Sequence, residues 1–141
     1  MQFVCDGPNG TWFRFETEGE ATQESRLMEH SVEKYFIQAM EEAAKSFVPP
    51  ASSMAFEQKI GLKAHVLKVM PLFLTLRDSG GGGLATAMLP PAGKDERSFR
   101  PIIVGQKNSD PYVKNGEDIK ALGRHYGLAL DLARCFPYRR G

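Results

Sequence analysis

Cysteine is scarce in this chain. Cys5 and Cys135 are its two cysteines and sit near opposite ends of 141 residues. Neither belongs to a CxxC pair, which excludes the usual zinc spacing, so no metal is expected. A chain this long buries roughly two thirds of its unfolded surface and needs no disulfide staple. Two unpaired thiols and no charged-then-apolar leader predict a cytoplasmic protein. Long apolar runs are missing as well. The longest stretch, Val69–Leu76, is interrupted by Pro71 and falls far short of the ~20 residues that span a bilayer, so no membrane partner is expected. Charge of one sign is also lacking. Eighteen Lys and Arg stand against seventeen Asp and Glu, a net +1, without the basic surplus that holds phosphate backbones.

What is present reads as one α+β domain over residues 1–141, with a mainly antiparallel sheet of about five to six strands and two main helices packed on it, in the order ββ-α-ββββ-α. Turn-forming residues Asp6–Gly10 divide an N-terminal hairpin. In its second arm Phe13 and Phe15 take the packed side and Trp12 a partly exposed one. Thr22 to Phe47 reads as one long helix. Met28, Val32, Tyr35 or Phe36, Ala39, Ala43 and Phe47 recur at helical steps, with Pro49-Pro50 as the stop.

From Ile60 the apolar residues alternate through Leu62, Ala64 and Val66, which favours a strand. A helix over 54–69 is the rival, because Phe56, Ile60, Ala64 and Leu67 share one helical face. Leu72–Arg77 and Leu84–Leu89 read as the buried centre of the sheet, joined through Asp78–Gly83. Phe99–Val104 reads as a further strand near an edge, because it contains Pro101. The last helix is expected from Glu117 to Phe136, before Pro137.

The four glycines Gly80–Gly83 invite comparison with phosphate-binding loops, whose exposed amides approach an anion closely. A P-loop continues with Lys and then Ser or Thr, whereas Leu84-Ala85 follows here, so no such cofactor is expected. The simple alternative is a hairpin turn in which glycine supplies positive φ. His30, His65 and His125 form no HxH or HxxxH pair, and each reads first as a surface residue. Ser79 beside Asp78, Cys135 near Arg134 and Cys5 near Asp6 are the local nucleophile candidates, but no GxSxG elbow is present and no Cys starts a helix.

Three functional readings remain. The first is a non-catalytic protein that binds a protein partner or itself, as in a homodimer. Gly123 and Gly127, one turn apart on the last helix, would allow the close approach, since each costs about 1 kcal/mol of helix propensity relative to Ala. The second is a small-ligand sensor or enzyme with its site under the glycine-rich turn, using His65, Arg77, Asp78, Ser79, Gly81 and Gly82. The third, and least favoured, is nucleic-acid binding through Arg124, Arg134, Arg139 and Arg140, with Trp12 available to stack.

Overall fold

The computed structural model of the chain describes residues 1–51 and 54–135. Among these residues, five strands form one antiparallel sheet in chain order: β1 (Gln2–Asp6), β2 (Thr11–Arg14), β3 (Leu72–Arg77), β4 (Gly83–Leu89) and β5 (Ile102–Val104). Three helices, α1 (Glu18–Met28), α2 (Val32–Lys45) and α3 (Ala55–Val69), intervene between β2 and β3. A fourth, α4 (Tyr112–Tyr126), follows β5.

The α+β class and the antiparallel sheet match the sequence reading. The element order does not. It is ββ-ααα-βββ-α, because residues 54–69 are helical and the first long helix is two.

Side-chain parity makes three layers. Leu72, Leu74 and Leu76 on β3, with Ala85, Ala87 and Leu89 on β4, pack with Trp12 against Ile119 and Leu122 of α4. The alternate residues, Phe73 and Met88, pack with Phe15 against Ala21, Val32, Phe36, Ala43 and Val66 of the other helices. Each strand residue faces one of two cores, which is why β3 is apolar on both sides. Trp12 is therefore fully buried rather than partly exposed. Its indole Nε1 donates to the Asp118 carbonyl at 2.9 Å, as a buried tryptophan requires.

The break between α1 and α2 has a local cause. Glu29 takes a left-handed conformation at φ 53° and ends α1. The freed amides of α2 are then capped from outside the helix, with no side-chain cap from Ser31. Glu33 N–H donates to Ser25 Oγ at 2.9 Å, and Val32 N–H meets His30 Nδ1 at 3.4 Å. Orphan N-terminal amides demand such partners. The stripe Met28, Val32, Phe36 and Ala43 stays buried across the break, because a four-residue step survives it.

Residues Ala55–Val69 form a helix, but the face expected for it does not pack: Phe56, Ile60 and Ala64 are exposed and Leu67 is half-buried. Gly61 lets the Phe47 ring come close, since an added Cβ would lie 3.3 Å from it. His65 also faces Phe47, with ring centroids 5.5 Å apart. Of the presumed strand face Ile60, Leu62, Ala64 and Val66, Val66 is buried and the rest are exposed.

The last helix starts earlier than expected and stops earlier, at Gly127 with φ 68°. Phe136, given as its end, lies outside the described residues.

Candidate functional site

Helix α1 turns Ala21, Glu24 and Met28 inward. Ala21 and Met28 are core residues, so Glu24 is the polar member of a buried stripe and is fully buried. A carboxylate there requires partners. Arg77, at the end of β3, donates from Nη2 to Glu24 Oε1 at 2.9 Å, and Thr86 of β4 donates to Oε2 at 2.5 Å. Thr75 and Thr86 are direct cross-strand neighbours, and Arg77 Nε donates to Thr75 Oγ1 at 2.9 Å. Gly83 lets α1 settle this low over the sheet, because a Cβ there would meet Met28 Sδ at 2.5 Å and Leu27 Cδ2 at 2.9 Å.

The chain of contacts continues to His30, whose Nε2 lies 2.8 Å from Thr86 Oγ1. Counting protons fixes its direction. Thr86 has one hydroxyl proton, and the Glu24 carboxylate takes it. Thr86 can then only accept from His30, which makes Nε2 the protonated nitrogen. The other nitrogen, Nδ1, is the acceptor that faces Val32 N–H at the start of α2. Burial lowers the His30 pKa, while the Glu24 charge pulls it upward.

His30 and Thr86 form the polar end of a cavity of about 1080 Å³ between α2 and the β4–β5 side of the sheet. Its walls are mostly apolar, with Val32, Ala39 and Ala43 on α2 facing Met88, Ile102 and Val104 on the strands, and Phe99 closing one side. The space follows from the sequence. Phe36 fills the gap toward Phe15 and Phe73, with ring centroids 5.8 and 5.1 Å away. The next inward positions of α2, Ala39 and Ala43, are too small to do the same opposite Met88 and Ile102. Drug-sized ligands occupy clefts of about 300–1,000 Å³ lined in this manner, with a few fixed polar groups.

The residues singled out from the sequence lie elsewhere. His65 Nε2 is 2.7 Å from Ser46 Oγ, between α2 and α3. Arg77 points inward to Glu24. Asp78 folds back into its own turn, where Oδ1 accepts from Gly80 N–H at 2.9 Å and Gly82 N–H at 2.8 Å. A carboxylate thus occupies the place an anion would take, and an added Cβ on Gly82 would meet its other oxygen at 2.6 Å. Ser79 is exposed, and Gly81 carries the positive φ of the turn. Arg77, Asp78 and the glycines are neighbours in the chain, but Arg77 and His65 are engaged with different partners, Glu24 and Ser46.

Gly123 and Gly127 serve their own helix end. The amides of Gly127 and Leu128 both donate to the Gly123 carbonyl. A Cβ on Gly123 would lie 2.6 Å from the Leu128 carbonyl oxygen. The close approach that favours glycine here is therefore within the chain.

Arg134 pairs with Glu96 at 3.3 Å and Asp131 at 3.9 Å. Arg139 and Arg140 lie outside the described residues. Among the described residues, no group of three or more His, Cys, Asp or Glu could hold a metal ion, and no helix is long and apolar enough to cross a membrane.

The sequence reading missed Glu24, His30 and Thr86. They are far apart in the chain, and the available signal was slight: a glutamate at an inward position of the α1 stripe. No protein-family model, no curated protein and no solved structure matches this chain.

Proposed function

We propose that the protein binds a small, largely apolar ligand carrying a hydrogen-bonding group, in the cavity between α2 and the β4–β5 side of the sheet, and does not transform it. The observation that carries this reading is a mainly apolar cavity, with Gln38, Glu42, Ser46 and Asn108 also in its lining, ended by the hydrogen-bonded chain His30–Thr86–Glu24–Arg77. Buried polar networks of this type fix geometry and orient what they touch. Arg77, bound to the other oxygen of Glu24, weakens that carboxylate as a base toward the Thr86 hydroxyl. The reading keeps the small-ligand function and moves its site away from the Asp78–Gly83 turn. Free thiols at Cys5 and Cys135 support a reducing, cytoplasmic setting.

The test is a fluorescence titration with the neutral apolar dye N-phenyl-1-naphthylamine. A single saturable site is expected, and A39F, which projects a ring into the cavity from α2, should weaken it. Equal dye binding by A39F, or no saturable binding by the parent chain, overturns the reading.

Partner binding or self-association is the second reading, and α3 favours it. Met54, Phe56 and Ile60 are 72%, 73% and 56% exposed on its outer side. A surface helix normally keeps apolar residues on one face; α3 carries them on two. F56E should then dissociate any complex seen by sedimentation, and a chain that sediments as a monomer throughout, without a co-purifying partner, removes this reading.

A further inference from the structure

The ring of His30 does two tasks at one place. Its Nε2–H is committed to Thr86, because the Thr86 proton is committed to Glu24. Its Nδ1 lone pair faces the first amide of α2, Val32 N–H, at 3.4 Å. Val32 and His30 both line the cavity. Any added proton must go to Nδ1, since no other ring position is open. It would then set one donor against another, and put a positive charge at the N-terminal end of α2, where the helix dipole is also positive. Repulsion is relieved by moving the ring, toward the hydrogen bond that its own backbone offers the protonated form, or by moving the first turn of α2, and both are walls of the cavity.

The charges around the ring do not cancel this effect. Glu24 of α1 lies behind Thr86, but its other oxygen is bound to Arg77 of β3. From α2, Glu33 and Lys34 share an outer depression with His30, one of each sign. Glu29, adjacent in the chain, is drawn toward Lys107 and Gln106 on the far side, at 3.9 and 3.2 Å. β4 contributes Thr86, which does not titrate. Glu42, further along α2, stands at the cavity margin and is exposed. Solvent reaches the ring from the outer depression, so the proton has a route that does not cross the cavity.

Resting on the ligand-binding reading above, we infer that the cavity is proton-gated: neutral His30 holds α2 in place and the ligand stays bound, and protonation at Nδ1 displaces the first turn of α2 and releases it. Burial already holds the ring below its ordinary range, against the pull of Glu24 and of a backbone hydrogen bond, in keeping with a device that is closed near neutrality.

Dye affinity is measured on the whole chain at about pH 7.5 and about pH 5, values on either side of the histidine range. It should fall within the ~5- to 150-fold span usual for coupled sites. Whatever affinity H30Q retains at the higher pH, it should retain at the lower one. Reciprocity supplies a second measurement that needs no variant: saturating dye must shift the His30 NMR titration to lower pH. Saturable binding with the same affinity at both pH values, an equal pH-dependent loss in H30Q, or an unmoved His30 titration each contradict gating and leave the ligand-binding reading standing. An absence of saturable binding at either pH defeats both.

Discussion

Glu24 and Arg77 lie 53 residues apart in sequence and meet at 2.9 Å over the sheet, with the glutamate fully buried. This pair ties α1 to the exposed end of β3. Removing one partner should cost more than removing both. R77M leaves an uncompensated buried carboxylate, which costs about 3–5 kcal/mol. The double variant E24M/R77M replaces the pair with apolar side chains of similar length and should recover a good part of that loss. Urea denaturation of the three chains decides it. A double variant less stable than R77M alone would show that the pair is net stabilising in a way simple desolvation does not explain.

A second anchor holds the N-terminal hairpin to α4. The Asp118 carboxylate is fully buried and accepts from Asn9 N–H at 2.8 Å and Asn115 Nδ2 at 3.0 Å. D118A strands the buried Asn115 amide, and a buried unsatisfied polar group costs about 1–3 kcal/mol. Trp12 is the only tryptophan and donates to the same residue's backbone. Its fluorescence should therefore shift to the red and its quenching by iodide should rise. Unchanged emission would place the hairpin's attachment elsewhere.

Stability should depend on pH through His30. Burial depresses its folded pKa below the ordinary value near 6.5, against the pull of Glu24. The unfolded chain then binds the proton more readily than the folded one. Stability is complete above the ordinary histidine value and is lost as pH falls through the window between that value and the lower folded one. The difference in urea midpoint between the parent chain and H30Q should therefore narrow on acidification. A gap that widens would reverse the sign of the argument.

Gly83 tests how closely α1 approaches β4. An added methyl would meet Met28 Sδ at 2.5 Å and Leu27 Cδ2 at 2.9 Å. Both neighbours are flexible side-chain ends, so G83A should cost about 1–3 kcal/mol, as overpacking does. The adjacent turn residue Gly80 has only an ordinary contact waiting, at 3.5 Å from Asp78 Oδ1. G80A should lose much less in the same thermal melt. Equal losses would mean that the turn, rather than the helix contact, sets the requirement.

Much of the frame was legible because it is local. The strands on either side of the glycine turn follow from dense apolar runs and a turn that only small residues allow. The buried stripe from Met28 to Ala43 follows from its period. Where the reading erred, two local rules competed. In α3 the residues Ile60, Leu62, Ala64 and Val66 satisfy a strand's alternation, while the outer face of the helix is apolar enough to mask its period.

The break at Glu29 was hidden because its caps, Ser25 and His30, are borrowed from outside α2. Of the candidate site only Arg77 was legible, and with the wrong neighbours. The site's defining contacts join Glu24 to Thr86 across 62 residues and His30 to Thr86 across 56. No spacing rule reaches that far. Ala39 and Ala43 are visible in the sequence, but the void they leave exists only opposite Met88 and Ile102.

The most direct test of the account is to map where a neutral apolar ligand perturbs the backbone amide spectrum of the ¹⁵N-labelled chain. N-phenyl-1-naphthylamine should shift His30, Val32, Ala39, Met88, Ile102 and Val104 together, along one saturable curve. Shifts centred on Gly80–Gly82 or on Phe56 and Ile60, with the cavity residues unmoved, would contradict it.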